Sequence, residues 1–283
     1  MTNGIAATPA MTKSVAIDMR SNAIADKALK AMARFWFLTA VAGQWIFAYY
    51  IASFYGGSAV QGDFEAWNKV LPHGFIPGDA MGNFTVATHL LLAMIIIVGG
   101  PLQLLPQIRA RAPAFHRWNG RLYMLTAFAL SIGGLSMVWT RGAVGDLSQH
   151  IAISLNGILI MLCAGMALRY ALARDFRTHR RWALRLFLTV SGVWFFRVGL
   201  MLWLLVNQRP AGFDPQTFTG PFLTFLAFAQ YLLPLAILQI YFYVQDTGGA
   251  AGRLVTAGSL FALTVAMGAG IFAATMGMWL PRL

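Results

Sequence analysis

The chain alternates long apolar segments with short polar ones. Seven of the apolar segments are long enough to cross a bilayer as helices, because a hydrocarbon core needs about 20 mainly apolar residues per helix. They run approximately over residues 35–55, 84–105, 118–140, 149–171, 182–206, 221–244 and 254–280, and we number them predicted helices 1 to 7. This pattern predicts an all-α polytopic membrane protein: residues 1–33 form an N-terminal segment, and residues 34–283 form a single seven-helix transmembrane domain.

Composition supports this class. Hydrophobic residues make up 58% of the 283 positions, and the mean hydropathy is +0.64. A soluble domain with a polar surface does not carry so large an apolar fraction. The one cysteine, Cys163, lies inside predicted helix 4, so no disulfide framework or thiolate metal cluster is expected.

The net charge of +12 is explained by topology rather than by nucleic-acid binding. If the helices alternate in direction, sixteen basic residues fall on one side of the membrane: Lys13, Arg20, Lys27, Lys30, Arg34, Arg109, Arg111, Arg117, Arg121, Arg169, Arg174, Arg177, Arg180, Arg181, Arg185 and Arg253. The other side receives only Lys69, Arg141, Arg209 and Arg282. The positive-inside bias then predicts a cytoplasmic N-terminus and an external C-terminus. The basic excess also favours contact with anionic lipids.

Four histidines occupy matching positions on predicted helices 2 to 5. His89 and His150 lie toward the outer ends of helices 2 and 4, and His116 and His179 lie at the cytoplasmic starts of helices 3 and 5. A b-type haem can be held by two neutral imidazoles that face each other from neighbouring helices. We therefore expect helices 2 to 5 to form a four-helix core bundle that binds two b-type haems, one near each face, as a route for transmembrane electron transfer.

Arginines near the inner histidines are candidate partners for haem propionates, since a guanidinium can grip a carboxylate in a bidentate manner. Arg117 and Arg121 are spaced i, i+4 and share a helix face. Arg181 belongs to a similar group on helix 5. On a straight helix 5, Arg197 would lie five turns beyond His179 on the same side, near the outer haem. Gly134 stands in the same relation to His116 and would leave room for a macrocycle.

Simpler interpretations of these residues remain open. Cytoplasmic helix ends collect Arg, His and Trp through headgroup contact alone, and Arg197 can snorkel to the outer interface. His73 is expected to be a solvated loop residue. The amides Gln44, Asn156, Gln230 and Gln239 within the predicted helices are expected to be hydrogen-bond partners between helices, although a quinone site would use the same side chains.

A resemblance to known families adds to this interpretation. Two segments of the chain resemble a bacterial family of predicted membrane proteins of unknown function: THLLLAMIIIVGGPLQLLPQIRARAPAFHRWNGRLY, from Thr88 to Tyr123, and THRRWALRLF, from Thr178. This resemblance implies a bacterial inner membrane. More distantly, the four histidines resemble those of the transmembrane di-haem cytochrome b superfamily. That resemblance implies the pairs His89 with His150 and His116 with His179. The chain departs from that superfamily in having seven predicted helices and in lacking an ascorbate-site motif.

Two function classes therefore stay open. The first is a b-haem electron carrier that exchanges electrons with a quinone or a redox partner protein. The second is a haem-free transporter or structural subunit whose His-Arg segments bind anionic lipid or a partner. The sequence shows no nucleophile-base pair, phosphate-binding glycine loop or Cys/His zinc spacing, and these absences argue against hydrolase chemistry.

Overall fold

The computed structural model describes residues 9–283, except residues 72 and 143. The first helix, α1 (Pro9–Ile51), continues through a π-helical turn (Ala52–Gly56) into α2 (Gly57–Val60). A 3-10 turn (Phe64–Lys69) then leads to α3 (Ala80–Leu104) and α4 (Pro106–Arg111). Next come α5 (Pro113–Thr140), α6 (Leu147–Leu172), α7 (Phe176–Val190) and α8 (Gly192–Asn207). The chain closes with α9 (Pro221–Thr247) and α10 (Ala250–Ala274), followed by two short turns, Thr275–Trp279 and Leu280–Arg282.

The all-α polytopic class is confirmed. Among the described residues, six helices are long and apolar enough to span a membrane, and the bent pair α7 and α8 makes a seventh span if it is counted as one. Large apolar side chains such as Leu125, Ile158, Val255 and Phe272 are exposed along these helices. A lipid bilayer is the environment that covers such a surface.

The N-terminal segment does not stand apart from the transmembrane domain. Helix α1 begins at Pro9, so most of residues 1–33 is helical and continuous with the first span, while residues 1–8 lie outside the described residues. Leu29 is buried and packs with Val244 of α9 and Leu260 of α10. This segment is therefore anchored to the same bundle as the spans.

The spans pack as a ring around a broken helix. Helices α1, α3, α5, α6, α9 and α10 contact one another in that order and close back on α1. The pair α7 and α8 packs inside this ring: α7 contacts α3, α6 and α9, and α8 contacts α9 and α10. The expected core bundle is present, because α3, α5, α6 and α7 contact one another in a closed cycle.

Predicted helix 5 is not a single straight span, and here the expectation was wrong. Helices α7 and α8 meet at Ser191 with a bend of 53°. The last carbonyls of a helix lack intrahelical partners and need other donors in an apolar interior. Those donors come from side chains: the Ser191 hydroxyl donates to the Phe187 carbonyl at 2.7 Å, and Asn156 of α6 donates to the Thr189 carbonyl at 3.2 Å.

Pro101 is a residue at which the sequence predicts either a kink or the end of helix 2, and the structure shows that the helix does not end there. Helix α3 instead continues to Leu104, with Pro101 inside it and buried. Close to this proline, Asn119 of α5 donates a hydrogen bond to the Gly99 carbonyl at 3.0 Å and ties α5 to this part of α3.

Close packing of α10 against α8 gives a first test of this architecture. A Cβ on Gly270 would lie 2.6 Å from the backbone oxygen of Val198, whereas a Cβ on Gly258 of the same helix would meet nothing within 4 Å. Gly270→Ala should therefore lower the stability of the purified protein by about 1–3 kcal/mol. Gly258→Ala should be neutral or slightly stabilising, because alanine favours helix. Thermal unfolding followed by tryptophan fluorescence measures both changes, and equal melting temperatures would contradict this packing.

Candidate functional site

The start of α7 holds His179 in a fixed orientation. Asp175 caps the helix by accepting a hydrogen bond from the Thr178 backbone N–H at 3.0 Å, and this bond holds the pKa of the Asp175 carboxyl below its usual range. One turn later, Nδ1 of His179 lies 2.8 Å from the Ala167 carbonyl oxygen on α6. A carbonyl only accepts, so Nδ1 carries the proton and Nε2 keeps its lone pair. Metal-binding histidines commonly have this arrangement.

His116, at the start of α5, belongs to a network of amides. Asn119 donates to the Gly99 carbonyl of α3 at 3.0 Å and to Oε1 of Gln103 at 2.9 Å. This bond orients the Gln103 amide so that its Nε2 lies 3.4 Å from Nε2 of His116. Nδ1 of His116 is buried and has no hydrogen-bond partner. The network joins α3 to α5 at one end of the bundle. We call this the basic end and define it by Arg109, Arg117, His116, His179 and Asp246.

His116 and His179 lie at the same end of the bundle. The charges of Arg109, His179 and Arg117 act on the His116 ring, so these side chains lie within electrostatic range of it. Positions 116 and 179 lie 63 residues apart in the sequence, and the packing of α5 and α7 around α6 closes that separation. A polar cluster with two imidazoles, two amides and surrounding arginines therefore lies at the basic end.

The candidate arginines have different surroundings. Arg117 is exposed, and Arg121 lies over the exposed Trp118 ring, 5.1 Å from its centroid. Arg181 forms an ion pair with Asp246 of α9 at 2.5 Å, so part of its hydrogen-bonding capacity is already used. Arg117 and Arg121 therefore have more freedom to meet an added anionic group than Arg181 has.

His89 lies on α3 beside two glycines of α5. A Cβ on Gly134 would stand 3.6 Å from Cε1 of His89, and a Cβ on Gly133 would stand 3.9 Å from its Nδ1. Gly134 and His116 therefore both face α3, where they meet His89 and Gln103. Their spacing of five helical turns predicts that they share a side of α5. Nδ1 of His89 is buried and has no partner. An imidazole nitrogen without a partner in an apolar surrounding is costly and calls for an explanation.

His150 packs at a different level from His89. Its ring meets Trp139 edge to face, with the centroids 6.2 Å apart. Trp139 and Gly134 are five residues apart on α5, so the two histidines contact levels about 7.5 Å apart along that helix. His73 lies in the loop before α3 and is exposed, as expected.

Arg197 lies in α8, beyond the helix break. Because α7 and α8 are bent relative to each other, Arg197 is not held on the same side of a straight helix as His179. Its guanidinium sits over the Phe47 ring of α1, 5.3 Å from the centroid, and Nη1 donates to the Val193 carbonyl at 3.2 Å. Its contacts are therefore made with an aromatic cluster that includes Phe47, Tyr50 and Trp279. The extrapolation across residues 179–197 was wrong because it assumed a straight helix.

Sequence reasoning missed the groups that organise the site. Gln103 and Asn119 are uncommon amides in apolar helices, so their residue types alone could have marked them as partners. Of the amides that were expected to link helices, Gln44 donates to Ser191 at 2.8 Å and Gln239 accepts from Arg185 at 2.9 Å. Gln230 instead donates to Ala227 of its own helix. Among the described residues, no group of three or more His, Cys, Asp or Glu side chains could hold a bare metal ion.

The fold and these polar clusters define a multi-pass α-helical membrane protein. The chain belongs to the family described as "Predicted membrane protein (DUF2306)", which matches residues 86–233. That range covers just over half of the chain and contains His89, His116, His150 and His179. No curated protein and no solved structure matches the chain.

The amide network gives a second prediction. Asn119→Leu removes two hydrogen bonds and leaves the Gly99 carbonyl and Gln103 without their donor, so we expect a loss of about 1–3 kcal/mol in stability. Trp118→Leu, at the adjacent exposed position, is the matched control and should change stability by less than about 0.5 kcal/mol. The comparison is made by thermal unfolding in one detergent. Similar losses in both variants would contradict the network.

Proposed function

We propose that the protein binds b-type haem and transfers electrons across the membrane. The observation that carries the proposal is the hydrogen bond from His179 Nδ1 to the Ala167 carbonyl, with His116 within electrostatic range of His179. That bond fixes the tautomer in which Nε2 can ligate iron. His116 and His179 are the ligands assigned to the haem at the basic end, and Arg117 and Arg121 are the partners assigned to its propionates.

His89 and His150 are the ligands assigned to a second haem. The glycines beside the His89 ring support this assignment, whereas its Nδ1 has no partner that would fix the tautomer in which Nε2 ligates iron. The contacts of His89 and His150 on α5, at Gly134 and Trp139, are five residues apart, about one and a half helical turns, so these two contacts do not place the rings against each other. The basic-end pair is therefore the better supported of the two. Arg197 has no support as a propionate partner, because its guanidinium lies on Phe47 of α1.

Binding at the basic end requires one rearrangement. Nε2 of His116 faces the Gln103 amide at 3.4 Å, and this nitrogen must be released before it can ligate iron. The long distance indicates a weak hydrogen bond that is easily replaced. Bound haem supplies a one-electron redox centre, and the protein residues hold it, orient it and neutralise its propionates. The exchange partner is a membrane quinone or a redox protein.

Spectroscopy of the purified protein tests this proposal. Protein expressed with sufficient haem should show a Soret band and sharp visible bands after reduction with dithionite. His116→Leu and His179→Leu should each remove the basic-end haem, and His89→Leu and His150→Leu should each remove the other. His73→Leu is the control and should leave the spectrum unchanged, because His73 is an exposed loop residue. A colourless protein that unfolds cooperatively would overturn the proposal.

A haem-free function is the second candidate: the basic end holds anionic lipid or a partner protein, in a transporter or a structural subunit. The observation that favours it is the exposure of Arg117 and of the Arg121–Trp118 pair. Arginine beside tryptophan is typical of a membrane interface. Arg177 and Arg181 already share Asp246, so the cluster keeps an excess of positive charge.

This candidate makes its own prediction. Arg117→Glu should reduce the anionic lipid that co-purifies with the protein, since each basic side chain near an anionic surface contributes about 1 kcal/mol. Arg209→Glu changes charge by the same amount at an exposed position near the end of α8 and should have no effect. Quantitative mass spectrometry of the bound lipid distinguishes the two variants. Unchanged lipid content in Arg117→Glu, with haem present in the wild type, would exclude this candidate.

A further inference from the structure

A polar pocket lies at the opposite end of the bundle from the histidine cluster, between the start of α3 and the end of α5. Its volume is about 280 Å³, and its lining includes Asp79, Thr85, Ser136, Thr140 and Arg141. This volume is slightly below the roughly 300–1,000 Å³ of pockets for drug-sized molecules. Its size therefore fits a compact ion or a single headgroup.

Arg141 is the central feature of this pocket. Its side chain is only 9% exposed, although it immediately follows α5. Its Nη2 lies 3.3 Å from Oδ2 of Asp79 and donates to Oδ1 of Asn83 at 3.1 Å. Nε and Nη1 are buried and have no hydrogen-bond partner. Three of the five N–H groups of a guanidinium are on these two nitrogens.

Unpaired donors on a buried cation are costly, so an acceptor is expected opposite them. The one carboxylate in contact with Arg141 does not meet this need. Asp79 is 40% exposed, contacts only Nη2, and already caps α3 by accepting from the Gly82 N–H at 2.9 Å. Solvent screens the charge of an exposed carboxylate, so the positive charge of Arg141 is only partly compensated.

The hydroxyl groups of the lining define the chemistry further. Thr85 donates to the Met81 carbonyl at 2.9 Å, and Thr140 donates to the Ser136 carbonyl at 2.7 Å. Both protons point back to their own helix. Ser136 also lines the pocket, and its hydroxyl carries one donor that a ligand can use. A ligand with several acceptor oxygens matches this set of donors.

We propose that this pocket binds a phosphate group through Arg141 and Ser136. A phosphate presents several oxygens to a guanidinium; because Nε and Nη1 of Arg141 are buried, the side chain turns toward the pocket to form charge-assisted hydrogen bonds with it. The group comes either from free phosphate or from the headgroup of an anionic phospholipid. Asp79 competes with it for Arg141 and limits the affinity. This inference is independent of the haem proposed at the basic end, whereas the haem assigned to His89 and His150 lies on the same half of the bundle as the pocket.

The first experiment uses sodium phosphate as the probe. Purified protein in a neutral detergent is unfolded thermally in increasing sodium phosphate, with sodium chloride at matched ionic strength as the reference. Wild type should be stabilised by phosphate beyond the chloride reference. Arg141→Gln should bind phosphate more than about tenfold more weakly, since it loses charge-assisted hydrogen bonds. Asp79→Asn should bind it more tightly, because asparagine still caps α3 but removes the competing charge.

The second experiment asks whether the phosphate belongs to a lipid. The protein is reconstituted into nanodiscs of phosphatidylcholine and phosphatidylglycerol, and the lipid retained after extraction is quantified by mass spectrometry. Retention of phosphatidylglycerol that is lost in Arg141→Gln, without a response to free phosphate, identifies a headgroup site. A response to free phosphate without lipid retention identifies a small-anion site. Either result supports the proposal.

Ser136→Leu keeps the proposal testable if Arg141→Gln does not fold. This change fills the pocket and leaves the contacts of Arg141 with Asp79 and Asn83 in place, so stability should be kept while phosphate and lipid binding are lost. Absence of any phosphate response and of any lipid preference in the wild type would overturn the proposal. Equal binding by the wild type and Ser136→Leu would overturn it as well. Arg141 would then serve only to tie the loop before α3 to α5.

Discussion

The fold depends on a helix break inside an apolar bundle. Where α7 ends at Val190 and α8 begins at Gly192, the carbonyls of the last turn lose their helical donors in a region without water. Ser191, Asn156 and Gln44 form the hydrogen bonds that stabilise the break. These side chains come from three spans, so the bend holds α1 and α6 in fixed positions around the central helix. The bend thereby orients α7 within the four-helix core, while the hydrogen bond to Ala167 at the start of α7 orients His179.

Helix number and class could be predicted from the sequence because burial in lipid requires long apolar runs, and this constraint acts on each helix separately. The bend could not be predicted in the same way. Residues 182–206 form one apolar run without proline, and the break at Ser191 is favoured by partners on other helices. Residues a whole number of turns apart share one side of a helix only while the helix stays straight. The prediction for Arg197 was therefore wrong, because the break separates it from His179. The prediction for Gly134 agrees with the structure, because α5 is unbroken from Pro113 to Thr140.

The histidine site was partly predictable for a related reason. Helix direction and residue number determine the level of each histidine along the bundle, and they bring His116 and His179 to the same end. Ring orientation depends on single hydrogen bonds, such as the one from His179 to Ala167, which no periodicity encodes. The buried position of Arg141 was missed because a basic residue between two spans is ordinarily solvated. Only the structure shows that it turns inward toward Asp79 and Asn83.

The same hydrogen bonds bear on whether the basic end is a cofactor site or a structural polar cluster. A purely structural cluster would pair every buried group, and Asn119, Gln103 and His179 are paired in this way. His116 differs, because its Nδ1 has no partner and its Nε2 has only a weak contact with Gln103 at 3.4 Å. His89 leaves a ring nitrogen unpaired as well. These unpaired imidazole nitrogens destabilise the bundle. Ligation of iron through Nε2 would leave the Nδ1 of either ring unpaired, so the hydrogen bond that leaves Nε2 of His179 free gives more support for a cofactor than these unpaired atoms do.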